Sequence, residues 1–433
     1  MCAINGIINW NGVSNLHKEQ IIASLKEMEY RGPDFSNTHS DANSILGHNR
    51  LAIVDLNPRS NQPMLSENKR YTIVFNGEIY NYKDIKKDLE QKEYRFNSVS
   101  DTEVLLNGFI EYGTEIVHKL RGMFAFVIWD IEKKEAFVAR DRFGEKPFYY
   151  FFDGEQFVFA SEMKALWAAG VEKKINHSML LNYIGLGWVK NPADLSQTFY
   201  ENISSLPQSH YLKLDMRTGK NEIGQYWDLD KETQTTLTEA EAIEQFQQLF
   251  STSVQRRLRS DVEVGTSLSG GLDSSSIAAT ISQLQTNNHK LQTFTASFPG
   301  FEKDETAYAK QVADQFQLQQ HLVRPTAETL LNDIEGLMHQ QEEPFQSSSI
   351  YAQYKVYELA KQQGIKVILD GQGADETLAG YHKYIHWFLQ EKIRESSVVS
   401  RELKAFADHN IAVDWGWKNK LAARFPEIAA VQL

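Results

Sequence analysis

Cysteine is nearly absent: the 433 residues hold one, at position 2. That excludes an intramolecular disulfide and any metal site built on a cysteine cluster. Long apolar runs are missing too, and nothing approaches the roughly 20 residues of a membrane-spanning helix. The opening MCAINGIINWNG has no basic segment, and Asn and Gly interrupt its apolar residues, unlike a secretory leader. Positive charge is short as well. The net charge of -12 argues against a general nucleic-acid or membrane-surface binder. An anionic substrate must therefore be held by local Arg, Lys or a metal ion. No tandem repeat or low-complexity tract stands out. Hydrophobic residues make up 42% and charged ones 24%, the balance of a globular chain long enough for two or three domains. A soluble, cytoplasmic protein is expected.

The lone Cys2 sits where a cysteine can do chemistry. A buried cysteine is usually inert packing. Removal of Met1, however, would leave Cys2 with a free α-amino group, whose reference pKa of about 7.7–8.0 leaves a useful neutral fraction near pH 7. One residue would then supply both thiol nucleophile and general base. Five further stretches follow: RGPD (Arg31 to Asp34), GHNRLAIVD (Gly47 to Asp55), QPM (Gln62 to Met64), VFNGEIYNY (Val74 to Tyr82) and SDTE (Ser100 to Glu103). After them come GMFAFVIWD (Gly122 to Asp130), RDRFGEKPFYY (Arg140 to Tyr150) and FASEMKAL (Phe159 to Leu166).

In this order the set resembles the class II glutamine amidotransferase domain, an Ntn-type glutaminase. The resemblance implies that Cys2 attacks the side-chain amide of glutamine. It implies that Asn76 and the Gly77 amide form the oxyanion hole. Arg50 would pair with the glutamine α-carboxylate, and Glu78 and Asp101 would accept from its α-ammonium. Taken singly, Asn76-Gly77 also reads as a hairpin turn and Asp101 as a helix cap. Alternating segments at Tyr71 to Phe75, Phe124 to Trp129, Glu135 to Ala139, Tyr149 to Phe152 and Gln156 to Phe159 predict antiparallel strands. Helices are expected near Lys18 to Glu29, Tyr82 to Gln91 and Thr102 to Tyr112. The implied fold is an αββα sandwich over residues 2–216, closed by the strand His210 to Asp215. Residues 217–238 are expected to be a linker, since Asp228 to Thr238 is polar and lacks periodicity.

Residues 239–433 read as a second domain. Asp261 to Thr266 (DVEVGT) predicts a strand, and Ile277 to Leu284 has apolar residues at helical spacing. SLSGGLDSSS (Ser267 to Ser276) therefore lies in a strand-to-helix turn. Gly270 and Gly271 allow close backbone approach to an anion, and the first helical amides attract negative charge. This is no Walker loop, because acidic Asp273 stands where a lysine would be. A cation must bridge that acid to a polyphosphate, which implies Mg²⁺. Strands at Leu291 to Phe298 and Ile365 to Gly371, with a helix at Asp304 to Phe316, point to a doubly wound parallel α/β sheet.

With Asp304 to Ala309, EEPF (Glu342 to Phe345) and DGQGADETLAGY (Asp370 to Tyr381), this half resembles the asparagine synthetase domain of the adenine-nucleotide α-hydrolase-like fold. By that resemblance Ser269, Gly270, Gly271, Asp273, Ser274 and Ser275 bind pyrophosphate. Asp273 and Asp375 hold Mg²⁺, Leu268 and Ala296 lie near the adenosine, and Asp370 and Gly371 contact the nucleotide. The implied activity is glutamine-hydrolysing asparagine synthesis: ATP adenylates the β-carboxylate of aspartate, and ammonia from Cys2 reaches it through a shielded passage. The substrates would be glutamine, aspartate and ATP, with no nucleic acid or membrane as partner. Relatives are often dimeric, so a homodimer is expected. Two departures bear on this. Gln372 stands where many relatives carry a glutamate, a candidate base for amination. The segment carrying basic residues that relatives have beyond Tyr381 has no match in Lys383 to Leu433, so the chain is expected to be C-terminally short. The alternatives are another carboxylate acceptor, such as a sugar acid, or a glutaminase-only or regulatory protein. His382 and His386 read as ordinary helix residues.

Overall fold

The computed structural model describes residues 1–284, 290–396, 399–409 and 411–425. The N-terminal part is built on strands β1 (Ala3–Asn9), β2 (Phe35–Ser40), β3 (Ser44–Arg50), β4 (Met64–Leu65), β5 (Tyr71–Ile79), β6 (Gly122–Asp130), β7 (Glu135–Arg140), β8 (Tyr149–Phe152), β9 (Gln156–Ala160), β10 (Ser204–Ser205), β11 (His210–Asp215) and β12 (Lys220–Gln225). They form two six-stranded sheets, in the orders β10-β8-β9-β1-β3-β2 and β12-β11-β7-β6-β5-β4.

Period-two alternation explains how these sheets stack. On β1, Ile4 and Ile8 pack with Val74, Val127 and Val138 of the other sheet. Ala3 and Ile7 point the opposite way, onto Ile21 and Leu166 of the helices Asn15–Glu27 and Met163–Ala168. On the second sheet, Ile73, Phe75, Phe124 and Phe126 face outward onto Leu89 and Leu105 of the helices Tyr82–Gln91 and Asp101–Tyr112. The central strands of both sheets are buried on both faces, giving helix, sheet, sheet, helix.

The residues that interrupt β1 in the sequence serve this packing. Asn5 donates from Nδ2 to Ile21 O (3.0 Å) and Ser24 Oγ (2.8 Å). A Cβ on Gly6 would fall 2.6 Å from the Phe159 ring. The sheet also runs past residue 216, into the stretch expected to be linker. β12 pairs with β11, and the Tyr226 hydroxyl donates to Arg140 O at 2.8 Å. Residues 228–238 carry neither helix nor strand.

The second part holds β13 (Val264–Ser267), β14 (Gln292–Ala296), β15 (Gln319–Val323) and β16 (Val367–Leu369), paired in parallel in the order β15-β14-β13-β16. The chain steps outward from β13 to β15, then returns to β16 on the other side of β13. The winding therefore reverses between β13 and β16, the point where an open parallel sheet places its ligand crevice, beyond the carboxyl ends of the strands. β13 starts later than expected because Asp261 is used elsewhere. Its N–H donates to Ile53 O (2.9 Å), and its carboxylate accepts from Asp55 N–H (2.8 Å), tying the two parts together. Among the described residues no helix is long and apolar enough to cross a membrane. The closing AAVQL lies outside the described residues.

Candidate active site

The ends of the strands bring the glutamine-side residues to one place. Cys2 precedes β1 and Arg50 ends β3, and these strands pair with Ala3 opposite Asn49. Asn76, Gly77 and Glu78 lie on β5, and Asp101 opens its helix. All six line one cavity of about 610 Å³.

Several have an unfulfilled or costly feature in the free protein. Burial pushes the Cys2 thiol up, so the sulfur needs a base to become a nucleophile. Its Sγ lies 3.4 Å from the Leu51 amide. The terminal amine, here on Met1, faces inward although the Met1 side chain is half exposed, and burial pushes it down to about 5. Asn76 is 1% exposed, and its Nδ2 has no hydrogen-bond partner. A buried orphan donor costs about 1–3 kcal/mol, which a ligand oxygen would relieve.

Gly77 presents its N–H to the edge of β5 away from β6. The flanking N–H groups of Phe75 and Ile79 point away from β6, to Gln62 Oε1 (2.6 Å) and Asp101 Oδ2 (3.0 Å). Gly77 lies between them on that edge, beyond the two residues that pair with β4. A Cβ at Gly77 would sit 2.7 Å from Phe124 Cα, so no other residue fits.

Glu78 and Asp101 form the cation-seeking end. Burial, and then the charge of Asp101, pushes Glu78 up to about 7. Burial pushes Asp101 up to about 6 against the opposing N–H bonds from Ile79 and Thr102. Glu78 Oε1 has no partner. An ammonium placed between them would favour both anions. Arg50 is held by the loop that follows it, donating from Nη1 to Asn57 O (3.0 Å) and Asn61 Oδ1 (2.6 Å).

Sequence reasoning missed an ion chain behind this site. Arg31 Nε donates to Cys2 O (3.1 Å), and its Nη1 meets Glu162 at 2.8 Å. Lys164 Nζ lies 2.8 Å from Glu162 and 3.6 Å from Glu342. Glu342 also accepts from the N–H groups of Met163 (2.9 Å) and Lys164 (2.6 Å), at the start of the helix Met163–Ala168. Nearby, Glu343 accepts from Phe199 N–H at 3.0 Å. Glu342 and Glu343 of the EEPF stretch therefore join the two parts of the chain. RGPD, FASEMKAL and EEPF were visible as motifs, but nothing in one sequence pairs charges more than 130 residues apart.

On the other side, Ser267 to Ser276 runs from the last residue of β13 through a turn into the helix Leu272–Leu284, and the Asp370 loop follows β16. Gly270 has φ +95°, and a Cβ there would lie 2.6 Å from Ala309 N. The helix Thr306–Gln315 therefore packs against the turn. Ser274 holds the turn's shape: its Oγ meets Ser269 N (3.2 Å) and Ser269 Oγ (3.0 Å). Ser275 Oγ is buried without a partner. Gly371 reaches the turn, since a Cβ there would be 3.3 Å from Asp273 Cβ.

Other expected ligand residues are engaged within the protein. Leu268 is fully buried in the core, donating to Phe294 O (2.9 Å) and accepting from Thr295 Oγ1 (2.6 Å). Its side chain supports the turn and does not face the crevice. Ala296 is half-buried at the end of β14. Asp370 accepts from Ser267 Oγ and from the Tyr357 hydroxyl. The Asp375 carboxylate lies against Gly380.

Among the described residues no three His, Cys, Asp or Glu side chains cluster as a metal site. Asp273 and Asp375 stand in the first turns of the helices Leu272–Leu284 and Ala374–Leu378, and with the orphaned Ser275 hydroxyl and the bare backbone of Gly270 and Gly271 they still fit a Mg²⁺–polyphosphate pair. Mg²⁺ commonly takes one or two carboxylates and completes its shell with phosphate oxygens and water. His386 bonds to Asn419 (3.1 Å) as an ordinary helix residue.

The cavity that holds Cys2 does not end in the first part of the chain. Its wall includes Tyr357, Ile365, Val367 and Ile368. Val367 and Ile368 belong to the strand that leads to Asp370, and Tyr357 bonds to Asp370 itself. No sequence feature marked Tyr357, an aromatic residue in mid-helix.

Residues 1–227 match the family model described as glutamine amidotransferase domain, and residues 245–427 the one described as asparagine synthase. A putative glutamine-hydrolyzing asparagine synthetase 2 of Methanocaldococcus jannaschii is 35% identical over 91% of this chain and 78% of its own length. Glutamine-hydrolyzing asparagine synthetase 2 of Bacillus subtilis is 34% identical over 88% of this chain and 52% of its own length. Amidase chry2 of Gibberella zeae is 32% identical over 89% of this chain and 60% of its own length. The chain thus spans about half the length of the Bacillus relative and about three-quarters of the archaeal one.

Proposed function

Because the chain belongs to the glutamine-hydrolysing asparagine synthetase family, we propose that it makes an amide from a carboxylic acid, with glutamine as nitrogen donor and ATP as activator. The observation that carries this reading is the single cavity reaching from Cys2 to Tyr357 and β16. Ammonia is mostly protonated in water near neutral pH, and passage through a cavity shared by both parts would limit its loss to solvent.

With Met1 removed, the Cys2 amine takes the thiol proton and the sulfur attacks the amide carbon of glutamine. Asn76 Nδ2 and Gly77 N–H donate to the oxygen that becomes negative. Arg50 orients the α-carboxylate, while Glu78 and Asp101 hold the α-ammonium. The amine returns its proton to the departing ammonia, and water releases glutamate.

In the second part, the amides of Gly270 and of the first helical residues Leu272 to Ser274 receive the β- and γ-phosphates of ATP. Asp273 and Asp375 would hold Mg²⁺, which when bound neutralises phosphate charge and favours departure of pyrophosphate. The acceptor carboxylate attacks the α-phosphorus, and its carbon becomes open to ammonia. With aspartate as acceptor, the products are asparagine, AMP and pyrophosphate. A second reading keeps this chemistry and changes the acceptor. The amidase relative favours it, at an identity close to that of the Bacillus synthetase.

The test is pyrophosphate release with ATP, Mg²⁺, glutamine and a panel of carboxylates. Release with aspartate supports asparagine synthesis. Release with another acid alone supports the second reading. Glutamate formation with no release for any acid leaves only the glutaminase.

A further inference from the structure

The loop after β16 lacks a base at the position where its family resemblance would put one. Gln372 is exposed, and its amide cannot take a proton at neutral pH. A carboxylate stands two residues earlier instead. Asp370 accepts from Ser267 Oγ on one oxygen and from the Tyr357 hydroxyl on the other. Tyr357 is on the helix Ser349–Gln362 and lines the cavity that begins at Cys2. Its oxygen accepts from Gln353 Nε2 at 2.8 Å and gives its proton to Asp370. One acceptor site on the phenol oxygen is left without a protein donor. The phenol, on a partly exposed ring, is thus a group of the cavity wall that is bonded directly to the loop after β16.

Resting on the amidation reading above, we propose that Tyr357 and Asp370 form the proton acceptor of the amination step, in place of the carboxylate that Gln372 lacks. The nitrogen lone pair attacks the activated carbonyl carbon, and a C–N bond forms. The nitrogen, now cationic, gives one proton to the Tyr357 oxygen as the phenol proton moves to Asp370. The C–O bond to AMP breaks, and AMP leaves with that electron pair. Asp370 then loses its proton to water. Burial and the charge of Asp370 raise the Tyr357 phenol well above its ordinary value, so it stays protonated and acts as a relay. Ser267, the last residue of β13, fixes the second carboxylate oxygen. The base is therefore braced between the two strands that frame the crevice.

The experiment separates activation from amination. Aspartate-dependent ATP–pyrophosphate exchange reports adenylation without ammonia. Amide formation from ammonium chloride reports the attack, and glutamate release reports the Cys2 half. In Tyr357→Phe, exchange and glutamate release are expected to stay near the parent, while amide formation falls by about 10²–10⁴-fold, the range of a lost general base. Adding Gln372→Glu to that variant returns a carboxylate to the loop and is expected to recover amide formation by about tenfold or more. A purely structural role for Tyr357 would not be rescued in this way. Amide formation within about threefold of the parent in Tyr357→Phe overturns the proposal, as does a joint fall of all three activities. If the parent shows no exchange with aspartate or any acid of the panel, the amidation reading itself fails and takes this inference with it.

Discussion

Asn76→Ala should separate activity from stability in a way that few active-site substitutions do. The side chain is 1% exposed and its Nδ2 has no partner. As an oxyanion donor it acts only when the glutamine carbonyl oxygen becomes negative. Losing such a donor lowers kcat by about 10²–10³-fold, or about 2.7–4 kcal/mol, with little effect on KM. For folding the sign reverses. A buried donor without a partner costs about 1–3 kcal/mol, and alanine removes it. The space left opens into the existing cavity, so little new void is created. The variant is expected to release glutamate at least about 100-fold more slowly while its unfolding free energy stays within about 1 kcal/mol of the parent or rises. Glutamate release without ATP, and urea denaturation, measure the two quantities. A kcat within tenfold of the parent, or a loss of 2 kcal/mol or more in stability, would show that Asn76 is a packing residue and refute the reasoning.

Three further outcomes can be checked. Glu78 is pushed up to about 7 and must be anionic to hold an α-ammonium, so kcat/KM for glutamine should rise with pH through about 7, and Glu78→Gln should flatten the profile. The same shift fixes a stability trend: the ligand-free fold holds a proton that the unfolded chain gives up. Stability from this group is full below about 4.5 and is lost as pH rises to about 7; denaturation midpoints at pH 5 and pH 8 should show the drop in the parent and less of it in Glu78→Gln. Lys164 is almost fully buried between Glu162 and Glu342, so Lys164→Met should destabilise by about 3–5 kcal/mol by leaving buried carboxylate without its cation; a loss below 1 kcal/mol would count against the ion chain.

The pattern of residues revealed most of the first fold, because alternation on β5, β6 and β7 is a local property of the chain. β1 escaped it. Asn5 and Gly6 break its apolar run, and they do so because a helix carbonyl and a phenyl ring lie against them, contacts that only the folded chain supplies. β12 was hidden for the opposite reason. Lys220–Gln225 is a polar edge strand, mostly exposed, and so resembles a linker. The glutamine site was legible because its residues lie in short contiguous motifs at strand ends. The crevice was only half legible. The turn at Gly270 announces itself by its glycines, yet the burial of Leu268 and the engagement of Asp370 follow from packing against β14 and Tyr357. The link between the two halves was invisible, since Tyr357 and the Arg31-to-Glu342 chain depend on partners distant in sequence.

The most direct test follows nitrogen from one half to the other. Glutamine labelled with ¹⁵N in its side-chain amide is supplied with aspartate, ATP and Mg²⁺ in an excess of unlabelled ammonium, and the label in the product amide is measured. Asparagine enriched in ¹⁵N well above the bulk ammonium pool, with one pyrophosphate released per amide, is the result expected of a cavity that runs from Cys2 to Tyr357 and β16. Glutamate accumulating while neither labelled amide nor pyrophosphate appears would contradict it.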